Sequence, residues 1–245
     1  KVGTIGTVGI DVGDEFFESD HDVPTTPRPT ELYRYFAMMR DNGVEYCVME
    51  ASSQALAQHR FSDEQFECGV FTNLTQDHLD YHGTMENYYK ANKMLFKMSK
   101  RAVVCTDDKY GQRLYKELET EKTGCTVDGV SDFYSVNIKL KETGVTYWLS
   151  SRRDEKSFPV SFAIPGRFSV QNSMAAVAAC NALGLDLGKC VEALLTFNGV
   201  RGRSEVVYSG KITVLCDYAH TADALEKFLT DLRSFASGRI ICVFG

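Results

Sequence analysis

The chain has 245 residues, 44% hydrophobic and 24% charged, which is ordinary globular usage and enough chain to bury a core without staples. Its net charge of −6, with no Lys/Arg-rich run, argues against nucleic acid or an anionic membrane as partner. No apolar stretch has the length of a membrane span and no signal region opens the chain.

The pattern alternates short apolar runs with amphipathic helices. A helix is predicted over 27–42, with Thr26 or Thr30 as N-cap, Leu32, Phe36 and Met39 on one face, and Gly43 placed to end it. A strand over 44–49, a short helix over 52–59 and a strand over 68–72 follow, then a helix over 85–98, a strand over 102–106 and a helix over 110–119. This rhythm implies an α/β fold with a mostly parallel sheet flanked by helices. Between 123 and 162 the period becomes two, in 133–138 and 145–149, which predicts added antiparallel strands. Helices return over 170–183 and 187–196, and a Gly-rich break at 199–203 is the candidate domain boundary. Beyond it come a strand over 212–216, a helix over 222–236 and a terminal run, 239–245, that reads as a buried strand. That run stops where its loop should begin, and the chain opens on Lys1 rather than Met, so the sequence reads as an excerpt of a larger protein.

Eight cysteines are spread so that no two lie closer than ten positions, and there is no Cys-x-x-Cys. Cys47, Cys105 and Cys242 sit inside apolar runs, where Cys acts as a small hydrophobe. Reduced, buried thiols and a cytoplasmic location are the expectation.

In parallel α/β sheets ligands bind beyond the carboxyl ends of strands, so residues there carry the most weight. Glu50 ends 44–49, Asn73 ends 68–72 and Asp217 ends 212–216, a set suited to hard cations and phosphates. Glu50 also has a plainer reading, an exposed acid paired with Arg60. Asp77, His78, Asp80 and His82 form a cluster whose two histidines, four apart, would share a helical face as a metal pair. The segment lacks the Glu of His-Glu-x-x-His, and a capped turn with surface acids is the alternative. Thr25-Thr26-Pro27 is either a simple helix start or a place where hydroxyls and free N–H groups receive an anion.

Six blocks occur in the order found in the Mur ligases: Thr25-Thr26-Pro27, Met49 to Arg60, Phe71 to Met85, Gly166-Arg167-Phe168, Gly202 to Glu205, and Asp217 to Thr221. The chain resembles that family throughout, and its first two blocks resemble the MurE type. The resemblance implies a central ATPase domain over 1–200, without its P-loop, and the start of a Rossmann-like C-terminal domain over 201–245. It implies an enzyme that uses ATP to join a diamino acid, meso-diaminopimelate or L-lysine, to UDP-N-acetylmuramoyl-L-alanyl-D-glutamate through an acyl phosphate, in peptidoglycan synthesis. Carried over residue by residue, Glu50 and His78 would ligate Mg²⁺, and Thr25, Thr26, Ser52, Gln58 and Arg60 would hold the muramoyl dipeptide. Asn73, Asn172, Arg203 and Asp217 would contact ATP, with Asn172 reading the adenine, Arg203 at phosphate and Asp217 at ribose.

The sequence also departs from the family. Ser169, Ala222 and Gln54 replace a usual Asn, Pro and His. Asn92 stands where the family has a lysine, carbamylated to help position Mg²⁺. Either Mg²⁺ binding is weakened, or Lys93 substitutes, or the change is tolerated. An isolated excerpt is expected to be inactive, and the reading from another class is a non-catalytic homologue that binds UDP-muramoyl peptide. A ligase acting on folate or polyglutamate is a third, disfavoured by the segment from Ser52 to Arg60.

Overall fold

The computed structural model describes residues 1–18, 24–61 and 66–244. These form two compact units, one of residues 1–65 and 78–98, the other of 66–77 and 99–245.

The first unit is built on a four-stranded sheet in the order β3-β2-β1-β4. Strands β1 (Val2–Gly6), β2 (Gly9–Asp11) and β3 (Phe16–Glu18) run antiparallel in sequence, and β4 (Tyr46–Met49) lies parallel to β1. Parallel neighbours need a crossover, and α1 (Pro29–Asp41) supplies it, burying Leu32 and Met39. This helix begins two residues later than the sequence suggests. Its N-cap is Arg28, neither Thr26 nor Thr30, because Pro29 sits at the first helical position and the Glu31 carboxylate accepts the Arg28 N–H. Gly43, at φ +70°, follows the helix end. The short α2 (Ser53–Ala57) is capped by Ser52, whose hydroxyl accepts the Ala55 N–H. One turn, α3 (Leu79–His82), and α4 (Met85–Lys97), capped by Thr84, complete the unit.

The second unit carries a six-stranded sheet, β10-β9-β8-β7-β6-β5. Its β5 (Gly69–Phe71), β6 (Arg101–Cys105), β7 (Glu121–Thr126) and β8 (Phe133–Lys141) pair in parallel. Strands β9 (Gly144–Ser151) and β10 (Lys156–Phe162) extend it antiparallel, so the period-two stretches are strands as expected. Helix α5 (Lys109–Glu117) starts on Asp108, which accepts the Tyr110 and Gly111 N–H groups. Position 111 must be glycine, since a Cβ there would lie 1.9 Å from the Cys105 carbonyl oxygen. The Ala-rich α6 (Arg167–Ala182) buries Val170, Met174, Val177 and Ala178 against Val103, Cys125, Phe133 and Leu149 of the sheet, with α7 (Leu187–Leu194) beside it. Tyr147 reaches this core with its polar end satisfied, 2.9 Å from the Ser173 hydroxyl.

After the break come an antiparallel pair, β11 (Glu205–Ser209) and β12 (Thr213–Cys216), and α8 (Ala222–Phe235). The terminal strand expected over 239–245 is not formed. Ile241, Val243 and Phe244 are exposed, and an apolar run with no described strand alongside has no ladder to join; Gly245 lies outside the described residues. All eight cysteines are free, yet only Cys105 and Cys125 are buried. Cys47 and Cys242, expected inside, are exposed. Among the described residues no helix is long and apolar enough to cross a membrane.

Candidate functional site

In the first unit the end of β4 meets the β1–β2 hairpin. The Glu50 N–H continues the ladder to the Ile5 carbonyl, so the side chain emerges over the turn. There its carboxylate accepts the Thr7 N–H at 3.1 Å and the Thr7 hydroxyl at 2.8 Å. A Cβ at Gly6 would stand 2.5 Å from Glu50 Oε1, so a side chain there would displace the carboxylate. Thr7 Oγ1 also lies 3.2 Å from Thr25 Oγ1, which joins the Thr-Thr-Pro segment to the strand end. Thr26 is fully buried: its hydroxyl donates to the Glu50 carbonyl at 2.7 Å and accepts the Ser52 N–H at 2.9 Å. The one hydroxyl thereby fixes the path of the chain from Glu50 into α2.

Arg60 does not pair with Glu50. Its Nε and Nη2 donate to Gln58 Oε1 at 3.0 and 2.9 Å, and Nη1 donates to the Thr26 carbonyl. Thr25, Thr26, Ser52, Gln58, Arg60 and Glu50 therefore form one connected hydrogen-bonded group.

His78 is the exposed N-cap of α3, in the left-handed region at φ 51°, with its ring edge-on to Tyr88. His82 closes the same turn but is buried, stacked on Tyr88 with its Nε2 2.9 Å from the Ser53 hydroxyl. The two histidines thus do not share a helical face as a pair of ligands: one caps the turn and the other is engaged in the core. Burial, reinforced by the neighbouring His78, lowers the His82 pKa, and Asp80 opposes this. Among the described residues no group of three or more His, Cys, Asp or Glu side chains could hold a metal. Asn92, half-buried on α4, gives its amide N–H to the Tyr88 carbonyl at 3.0 Å. Lys93 lines a different, open hollow with Ala57, Tyr81 and Met94.

In the second unit Asn73, Asn172, Arg203 and Asp217 line one cavity of about 820 Å³. Phe162, Ile164 and Phe168 give it an apolar wall, and Ser169 lines it with its hydroxyl on the Pro165 carbonyl. Asp217 Oδ2 accepts both the N–H and the hydroxyl of buried Ser204, while Oδ1 accepts the Ala219 N–H. Arg203 lies 4.4 Å over the Tyr218 ring, a cation–π contact that fixes its guanidinium. Sequence reasoning missed Thr7 and Tyr218. Thr7 follows a glycine in a two-residue turn and Tyr218 directly follows Asp217, so proximity to a strand end was the available signal for both.

The Mur ligase middle-domain family matches residues 1–180, and the Mur ligase glutamate-ligase domain matches 202–245. The chain belongs to the Mur ligase family. It is 42% identical, over its whole length and 50% of the relative, to the UDP-N-acetylmuramoyl-L-alanyl-D-glutamate–2,6-diaminopimelate ligase 1 of Clostridium acetobutylicum. A solved ligase of the same description shares 30% identity at a TM-score of 0.79, covering 96% of this chain and 48% of the other. The MurF ligase of Thermotoga maritima, solved with ADP, matches at 18% identity and a TM-score of 0.70, over 89% of this chain and 50% of that one. That last likeness speaks for the fold alone. This Mur ligase chain spans about half the length of the curated relatives it matches.

Proposed function

We propose that the natural protein carrying this chain is an ATP-dependent ligase of the MurE type. It adds a diamino acid to UDP-N-acetylmuramoyl-L-alanyl-D-glutamate in peptidoglycan synthesis, in the cytoplasm. The observation that carries the reading is the convergence of Asn73, Asn172, Arg203 and Asp217 on a single 820 Å³ cavity with an aromatic wall. An amide, a carboxylate and a guanidinium around an apolar slot fit a nucleoside triphosphate. Asn172 reads the adenine against Phe168, Asp217 takes the ribose, and Arg203 takes phosphate, its guanidinium held in place by Tyr218. In this reading 1–200 is the central domain and 201–245 the start of the C-terminal one.

Thr25, Ser52, Gln58 and Arg60 hold the anionic muramoyl dipeptide, and Thr26, whose hydroxyl is used internally, holds the backbone that presents them. Glu50 and His78 would hold Mg²⁺. Glu50 fits, since each of its oxygens accepts one hydrogen bond from Thr7, leaving lone pairs for a hard cation, and His78 stands exposed at the N-cap of α3. An ion bound largely by phosphate and water needs only one or two protein groups. When bound, Mg²⁺ supplies neutralisation of phosphate charge. The γ-phosphoryl group passes to the D-glutamate γ-carboxylate and ADP leaves. The amine of the diamino acid then attacks the acyl carbon, phosphate departs, and the amine loses its proton. The side chains contribute alignment and charge compensation rather than covalent chemistry.

The names of the similar ligases favour 2,6-diaminopimelate over lysine as the amine. The second reading, a non-catalytic binder of UDP-muramoyl peptide, draws on Asn92, a neutral amide tied to the Tyr88 carbonyl. One assay separates them: the natural protein with ATP, Mg²⁺, UDP-muramoyl dipeptide and either diamino acid, followed by mass spectrometry of the nucleotide product. Tripeptide formation dependent on ATP and faster with diaminopimelate is expected. Dipeptide binding without product would favour the binder, and neither binding nor product would sink both.

A further inference from the structure

In the first unit, α3 holds α2 at two points that the sequence pattern did not reveal. Gln58 Nε2 donates to the Tyr81 hydroxyl oxygen at 3.2 Å, and buried His82 Nε2 lies 2.9 Å from the Ser53 hydroxyl. Arg60, which can only donate, decides which way the Gln58 amide faces, and the Tyr81 hydroxyl anchors the other end of that amide. The amide oxygen is turned to Arg60, where it accepts two N–H groups side by side. A flipped amide would set an NH₂ group against the guanidinium, donor against donor. The Thr26 carbonyl takes a third N–H. Of the five guanidinium donors, these three bonds leave one N–H on each terminal nitrogen for a carboxylate or phosphate.

We propose that Tyr81 is a positioning residue which, through Gln58, orients the Arg60 guanidinium for the anionic muramoyl substrate, with the His82–Ser53 bond holding α3 in place for it. The inference rests on the ligase reading and extends it to a residue outside the expected substrate set.

The test is calorimetric titration of the natural protein with UDP-muramoyl dipeptide, for Tyr81→Phe, Gln58→Leu and the double variant. Tyr81→Phe deletes one oxygen and keeps the ring, so the fold survives. It should weaken binding about three- to tenfold, the range of a single hydrogen bond. The double variant should bind no more weakly than the worse single one, because both act through one amide. In turnover, KM for the dipeptide should rise by more than kcat changes, with KM for ATP unmoved. A merely structural role would lower the melting temperature and move both Michaelis constants. Parental affinity in Tyr81→Phe, or losses that multiply in the double variant, overturn the inference while leaving the ligase reading intact. Absence of dipeptide binding in the unmutated protein overturns both.

Discussion

At the scale of single residues, Glu50 is held by Thr7, whose N–H and hydroxyl each bind one carboxylate oxygen because β1 lies beside β4. Glu50 could be chosen because it ends an apolar run, yet this partner lies 43 positions away. Likewise His82 could be read as half of a metal pair. Its burial against Ser53, 29 positions earlier, gives it another role. That burial has a consequence for stability. An unfolded histidine titrates near its ordinary value of about 6.5, whereas the folded His82 takes its proton at lower pH, chiefly because burial disfavours the charge. The groups around it are His78, which adds to the lowering, Asp80, which opposes it, and the rings of Tyr81 and Tyr88. A depressed folded pKa means the contribution is present above the unfolded value and is lost as pH falls toward the folded one. Urea unfolding between pH 7 and pH 5 should therefore show stability falling with pH, with a shallower fall in His82→Gln. An identical slope in the variant would count against the assignment.

At the scale of elements, helix starts are legible where a capping side chain marks them, as at Ser52 and at Thr221, whose hydroxyl accepts the Ala224 N–H ahead of α8, and less so where backbone geometry does. Two threonines offer themselves as caps for α1 in the sequence, whereas Pro29 at the first helical position sets its start. Strands β1 to β3 are only three to five residues long, with glycine in β1 and β2, too short to show a clear alternation in the sequence. The terminal run was read as a strand on composition alone, which cannot supply a neighbour to pair with. Element geometry also bears on Asn92. One step along a helix turns a side chain by about 100°, and Lys93 accordingly lines another hollow, with Ala57 and Tyr81. Lys93 is therefore poorly placed to stand in for Asn92. On the proposed ligase reading, Asn92→Lys in the natural protein should raise the ligation rate at limiting Mg²⁺ and lower the Mg²⁺ concentration for half-maximal rate. If neither changes, the neutral amide is a tolerated variant.

At the scale of the whole chain, the α/β class was legible because the alternation of periods survives in any register, and the cysteines show where such reading stops. Spacing alone argues against disulfide and zinc frameworks. Which of the thiols meet solvent depends on packing that composition does not encode. Cys105 and Cys125 pair across the parallel β6–β7 ladder beneath α6 and are fully buried. Burial pushes the Cys105 thiol up to about 12 and raises that of Cys125 as well. Since the thiolate is the reacting form, both access and ionisation protect this pair. Alkylation of the native 245-residue chain at pH 8, read peptide by peptide by mass spectrometry, should modify Cys216 and Cys242 within the first minutes. Cys105 and Cys125 should react only as fast as the sheet opens, and at the rate of the others once denaturant is added. Native labelling of Cys125 as rapid as that of Cys216 would mean that α6 does not seal the sheet. The wall from which Asn172 reaches its cavity would then be less firmly built than the fold implies.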